Sequence, residues 1–221
     1  MSLLEAGQPV ELPCPGRARL RPGPTLITRY PHDSGGRMTF EYLADPGQGP
    51  QWQGLLPGAP EAFFLRRGEG EHAKLFTDLF TVLVSGAETE GQFGIITSRS
   101  PAGDIIPTHA HADTHETFYV LDGRVRVFVQ DPAGEKSSRL LGPGDFGFVP
   151  AGLTHAYRVE EAATMLGVLS GGFERFFQQM GTPADSTAED QPPFIPDFPR
   201  IQAAAQAHRT QFFPDFDWPD A

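Results

Sequence analysis

The chain has 221 residues, enough for one substantial core, and 39% of them are apolar. Its 17 Lys and Arg stand against 28 Asp and Glu, a net charge of −11 that repels phosphate backbones and anionic lipid, so no nucleic-acid or membrane partner is expected. No run approaches the length of a membrane span. The start, "MSLLEAGQPVELP", lacks a signal-peptide pattern, and Cys14 is the only cysteine, so no internal disulfide forms and the cytoplasm is the expected compartment.

In chain order, residues 1–56 are rich in Pro and Gly. They are expected to be an N-terminal extension, with "TLITRY" (25–30) and "RMTFEYLA" (37–44) as arms of a hairpin. From about residue 62, short β-prone runs recur, each bounded by Gly, Pro or Asp: "AFFLRR", "LFTVLVSG", "QFGIITSR", "DIIPTHAH", "ETFYVLDG", "RVRVFVQD", "FGFVPAG", "THAYRVE" and "TMLGVLSG". Even spacing without intervening helices predicts an all-β antiparallel sandwich or barrel over 57–181. "YVLDGRVRVFV" reads as a hairpin with Asp122-Gly123 in its turn, and Val125, Val127 and Val129 alternate as in a half-buried strand. In "GGFERFFQQMG", Phe173, Phe176, Phe177 and Met180 share one face of a helix that Gly181 ends. Packing against the barrel wall is the preferred role of that face, and lining a pocket mouth the lesser one. Residues 182–221 read as an extended segment, a short helix near 200–209 and an aromatic tail that docks.

The densest chemistry is "HAHADTHE", residues 109–116. On a strand, alternate side chains share a face, so His109 and His111 point together. Strict alternation would add His115. The polar "HADT" invites a bend, after which Glu116, Phe118 and Val120 would share the face instead. His32, His72 and His208 are isolated and read as surface or structural residues.

Two spaced motifs carry a resemblance. Gly103, His109, His111, Glu116 and Gly123 match the first cupin motif, and Gly144, Pro150, Gly152 and His155 the second. The Asn that often closes the second is Val159 here. "HAHADTHETFYVLDGRVRVFVQD", "LLGPGDFGFVPAGLTHAYRVE" and "GGFERFFQQMGTPA" together resemble the bacterial single-cupin quercetin 2,3-dioxygenases, from about residue 62 onward. Tyr is common in that family where this chain has His115.

The resemblance implies a cupin double-stranded β-helix, or jelly roll, with short C-terminal helices. It implies metal ligation by His109, His111, Glu116 and His155, with Glu116 also the general base. The implied reaction inserts O2 into a flavonol, opens its central ring and releases carbon monoxide. Nickel, manganese, cobalt, iron and copper all suit a site of three histidines and a carboxylate. Phe118 and Tyr157, by parity with Glu116 and His155, are candidates for the wall of a substrate pocket. His115 is expected to be a neighbour or a supporting hydrogen-bond partner of the site. Edge pairing into a homodimer is expected. Other cupin chemistries remain open on these residues: a pirin-like oxygenase, an isomerase or epimerase working without O2, and a ligand-binding module without turnover.

Overall fold

The computed structural model describes residues 55–185 and 192–219. The hairpin expected at 25–44 lies outside them. The elements are β1 (Glu71–Leu75), β2 (Asp78–Val84), β3 (Phe93–Ser100), β4 (Ile105–His111), β5 (Glu116–Gln130), β6 (Lys136–Leu141), β7 (Phe146–Val149), β8 (His155–Ser170), α1 (Glu174–Met180), β9 (Thr182–Ala184), α2 (Phe198–Ala207) and β10 (Thr210–Phe212).

The chain folds as an all-β jelly roll organised by two long strands. β5 and β8 run antiparallel along their whole lengths, from Val129 opposite His155 to Glu116 opposite Leu169. On its other side β8 meets β4 with its first residues and β3 with its last. β5 likewise meets β7 with its first residues and β6 with its last. Each long strand therefore serves both halves of the barrel wall. All ten strands join in one continuous sheet, which bends at the long strands so that β10, β4 and β6 flank one half of the β5–β8 pair and β7, β3, β2, β1 and β9 the other. Inward-facing strand residues form the core: Phe118, Val120, Val125, Val127, Tyr157, Val159 and Met165 in one cluster, and Phe80, Val82, Ile96 and Leu169 in another, joined there by Phe173 and Phe176 at and in α1.

The hairpin expected at Asp122-Gly123 is not made. The chain does not reverse there: Asp122 is opposite Thr164, Arg124 is opposite Glu161, and the ladder only shifts register between them. Gly123 takes φ 76°, and a Cβ there would stand 2.1 Å from Ala162 O. The glycine makes a bulge that bends β5 from one half of the barrel wall into the other. "THAYRVE" and "TMLGVLSG" likewise join into the single strand β8.

Residues 62–67 were expected to be a strand, but "AFFLRR" pairs with nothing in a ladder, and the Phe64 ring is exposed. β1, "EHAKL", does form, although its sequence is polar. Glu71 and Lys74 are buried because Gln178 and Arg175 bond the former, while Thr77 O accepts from the latter.

Past the barrel, α1 puts Phe173, Phe176, Phe177 and Met180 against the core, and they also line its cavity, so both roles weighed for that face are realised. The tail packs on the outer face of β5. Trp218 Nε1 donates to Thr108 Oγ1 at 2.7 Å, and its ring lies 5.7 Å from that of Phe128. Phe128 is therefore buried although it alternates with inward-facing valines. No helix among the described residues is long and apolar enough to cross a membrane.

Candidate metal centre

Four side chains from three strands converge inside the barrel. His109 and His111 occupy alternate inward positions on β4, and Glu116 and His155 are the first residues of β5 and β8. One ligand atom from each lies within 4.8 Å of all the others. The bend at 112–115 decides which residue completes the set. Ala112 N donates to Arg209 O at 3.1 Å, and Gly152 N to His111 O at 2.7 Å. These bonds end β4, so β5 starts one residue out of phase and Glu116 is turned inward, with Phe118 and Val120 behind it.

His115 consequently faces out. Its ring is exposed, Nδ1 accepts from Ala151 N at 3.1 Å, and its face lies 5.8 Å from Phe148. It holds the turn before His155 rather than the Glu116 carboxylate, to which no hydrogen bond among the described residues joins it.

The histidines are oriented through their far nitrogens. His109 Nδ1 bonds Pro107 O at 2.6 Å, and His155 Nδ1 bonds Leu153 O at 2.9 Å. A carbonyl can only accept, so both rings carry their proton on Nδ1 and turn the Nε2 lone pair inward. His111 Nδ1 lies 3.1 Å from Thr210 Oγ1, whose own hydroxyl donates to His208 O at 3.4 Å, so the imidazole is again the donor. Thr210 stands 99 residues from His111 and comes into place because β10 pairs with β4. No sequence motif marks it.

Inside, His155 Nε2 is 3.0 Å and His111 Nε2 3.5 Å from Glu116 Oε2. His111 Nε2 is buried without a hydrogen-bond partner. Burial, then the positive charge that His155 and His111 would carry, lowers the pKa of His109 to about 3. Burial also opposes the Glu116 carboxylate, but the His155 hydrogen bond and the nearby His111 imidazole outweigh it and pull its pKa far below the usual range. Burial opposes the charged form of His155, but its hydrogen bond to Glu116 outweighs this and raises its pKa. Three imidazoles, one carboxylate and an orphaned inward nitrogen fit a divalent metal ion.

The barrel cavity is about 380 Å³ and almost entirely apolar. His109, His111 and Glu116 form part of its wall. Phe118 and Tyr157 line it as well, their rings edge to face at 5.7 Å, beside Phe80, Ile96, Met165 and the α1 phenylalanines. His208, expected to be isolated, packs edge-on against Phe173 and Phe176 at 5.9 and 5.8 Å.

The cupin domain family matches residues 97–169, from β3 through β8. The chain is 37% identical over 130 residues to quercetin 2,3-dioxygenase of Bacillus subtilis (strain 168), covering 58% of this chain and 37% of that protein. It is 32% identical over 125 residues to quercetin 2,3-dioxygenase of Aspergillus japonicus, covering 54% of this chain and 35% of that protein. The chain thus spans just over a third of the length of these curated relatives. Among solved structures, oxalate decarboxylase from Bacillus subtilis at pH 4.6 aligns at 24% identity and a TM-score of 0.43, over 53% of this chain and 32% of that one. KdgF from Halomonas sp. aligns at 19% and 0.42, over 50% of this chain and 94% of that one. Residues 97–169 thus match a cupin domain, and the chain resembles quercetin 2,3-dioxygenases in sequence.

Proposed function

We propose that the chain is a metal-dependent dioxygenase that opens the central ring of flavonols such as quercetin and releases carbon monoxide. The observation that carries this reading is the placement of a His3Glu cluster in the wall of an apolar cavity large enough for a small ligand. The names of the curated relatives supply the substrate class.

In this reading His109, His111, Glu116 and His155 hold one divalent ion: nickel, manganese, cobalt, iron or copper. Such an ion lowers the pKa of a coordinated hydroxyl and orients it. The chain's own residues do the rest. Glu116, in the cavity wall, is the residue placed to accept the proton of the flavonol 3-hydroxyl. Phe118 and Tyr157 form part of a dry slot for flat rings. His109, His111 and His155 are held in orientation because their Nδ1 protons are committed to Pro107 O, Thr210 Oγ1 and Leu153 O.

We also read the chain as a cytoplasmic homodimer. The exposed Tyr119, Leu121, Phe146 and Phe148 on β5 and β7 support pairing. Glu116→Gln tests the chemistry. It keeps an oxygen ligand but cannot take a proton, so quercetin consumption should fall about 100-fold or more, the weight of a general base, with the metal still bound. Full turnover by a metal-loaded Glu116→Gln protein would remove Glu116 as the base.

A further inference from the structure

Four hydroxyl side chains stand in the cavity wall: Ser98, Thr117, Tyr157 and Thr210. Two are committed to the protein. Thr117 Oγ1 accepts from Val168 N at 2.8 Å, and Thr210 Oγ1 serves His111. The other two, on Tyr157 and Ser98, make no hydrogen bond among the described residues. Neither oxygen is sealed from contact in the way that the fully buried orphan atoms are. The residues themselves are buried, at 6% and 5% exposure, so the open side of each hydroxyl is the cavity.

Their depth follows from the strand register. β8 begins at the metal centre with His155, shifts register near Glu161 and Thr164, and comes back to the centre with Leu169, which is opposite Glu116. Inward residues nearer its middle therefore lie deeper in the barrel. Tyr157 is two residues on from His155, about 7 Å down the wall. Ser98 is opposite Met165, four residues short of Leu169, which sets it about 13 Å down. Phe80, Ile96, Phe118 and Met165 make the wall around them apolar. Phe118 also meets the Tyr157 ring edge to face at 5.7 Å and so fixes where its oxygen stands.

A hydroxyl left without water or a protein partner is costly, and a ligand oxygen placed against it removes that cost. A hydroxyl both donates and accepts, so a phenol or a ketone satisfies it and a bare ring does not. We propose that the Tyr157 and Ser98 hydroxyls are the polar contacts of the cavity below the metal centre, and that they select aromatic substrates bearing oxygen on the rings away from the group held at His109, His111, Glu116 and His155. This deepens the flavonol reading and rests on it for the identity of the substrate.

The test uses the full chain, nickel-loaded and kept free of oxygen, and measures equilibrium binding by titration calorimetry. Quercetin carries hydroxyls on all its rings, whereas 3-hydroxyflavone has only the one adjoining the ketone. Wild type should prefer quercetin by about tenfold or more. Tyr157→Phe removes one oxygen and keeps the ring. It should weaken quercetin about 3- to 10-fold, the weight of one neutral hydrogen bond, and leave 3-hydroxyflavone within about twofold. Ser98→Ala should do the same, and the double variant should bind the two flavonols within about twofold of each other. A general disturbance of the barrel would weaken both ligands alike and leave the preference standing. A second pair, 2-naphthol and naphthalene, asks the same question without a flavonol. Failure of both flavonols to bind would sink the flavonol reading, and the naphthol pair would then decide on the hydroxyls alone. A preference that collapses in the double variant supports the proposal, and a single variant without effect removes that residue from it. A preference missing from wild type or kept by the double variant overturns it, as does failure of all four compounds to bind.

Discussion

Thr210 offers the sharpest test of how the fold serves the centre. Its hydroxyl is the acceptor for His111 Nδ1 at 3.1 Å, and both residues are buried. Thr210→Val keeps the branched shape and removes the hydroxyl, the acceptor for His111 and a long-range donor at 3.4 Å to His208 O in both metal-free and metal-bound protein. In the metal-free protein the freed imidazole can turn or change tautomer. With a metal on Nε2 the proton is confined to Nδ1 and is left unpaired. The bound form alone therefore pays the desolvation penalty of a stranded buried donor, about 1–3 kcal/mol. At about 1.4 kcal/mol per tenfold, this weakens metal binding roughly 5- to 150-fold, a range that overlaps the cost of losing a partner behind a metal ligand. Competition against a chromophoric chelator, with nickel and with cobalt, reads that ratio directly. Thr210→Ser retains the hydroxyl and should bind as wild type does. Unchanged affinity in Thr210→Val, or an equal loss in Thr210→Ser, would refute the argument that the C-terminal strand orients His111.

Two further outcomes follow from the geometry. Gly123→Ala forces a side chain into φ 76° and sets its Cβ 2.1 Å from Ala162 O. Left-handed strain of about 1–2 kcal/mol and overpacking of about 1–3 kcal/mol should together remove roughly 2–5 kcal/mol in urea unfolding, and a loss under about 1 kcal/mol would contradict the bulge. The second outcome concerns acid. Burial, then the charge of His111, depresses His208 from 6.5 to about 4. The unfolded chain therefore binds more protons across that window, so this contribution to stability is whole above about pH 6.5 and is lost as pH falls toward 4. In metal-free protein, His208→Leu should show a shallower fall in urea midpoint from pH 6.5 to 4 than wild type, and parallel curves would count against it.

The clustering of His109, His111, Glu116 and His155 was legible because its determinants are local. Alternation on one strand pairs His109 with His111, and the polar "HADT" break moves the inward phase from His115 to Glu116. Periodicity alone left His115 and Glu116 as rivals. The motif resemblance favoured Glu116, and the bonds that end β4 give the physical reason. Other features depend on pairings distant in sequence. Asp-Gly is a hairpin signal, yet at 122–123 the partner β8 continues past it, and the glycine bends the strand instead of reversing it. Thr210 and Trp218 gain their roles from a tail that returns to β4 and β5 across about half the chain.

The most direct measurement strips the protein of metal, reloads it separately with nickel, manganese, cobalt, iron and copper, and gives each sample quercetin in air. Loss of flavonol absorbance and carbon monoxide release are followed together. The account predicts no turnover without metal and one carbon monoxide per quercetin consumed with at least one of the ions. Full occupancy of the centre by every ion, with no carbon monoxide from any of them, would contradict it.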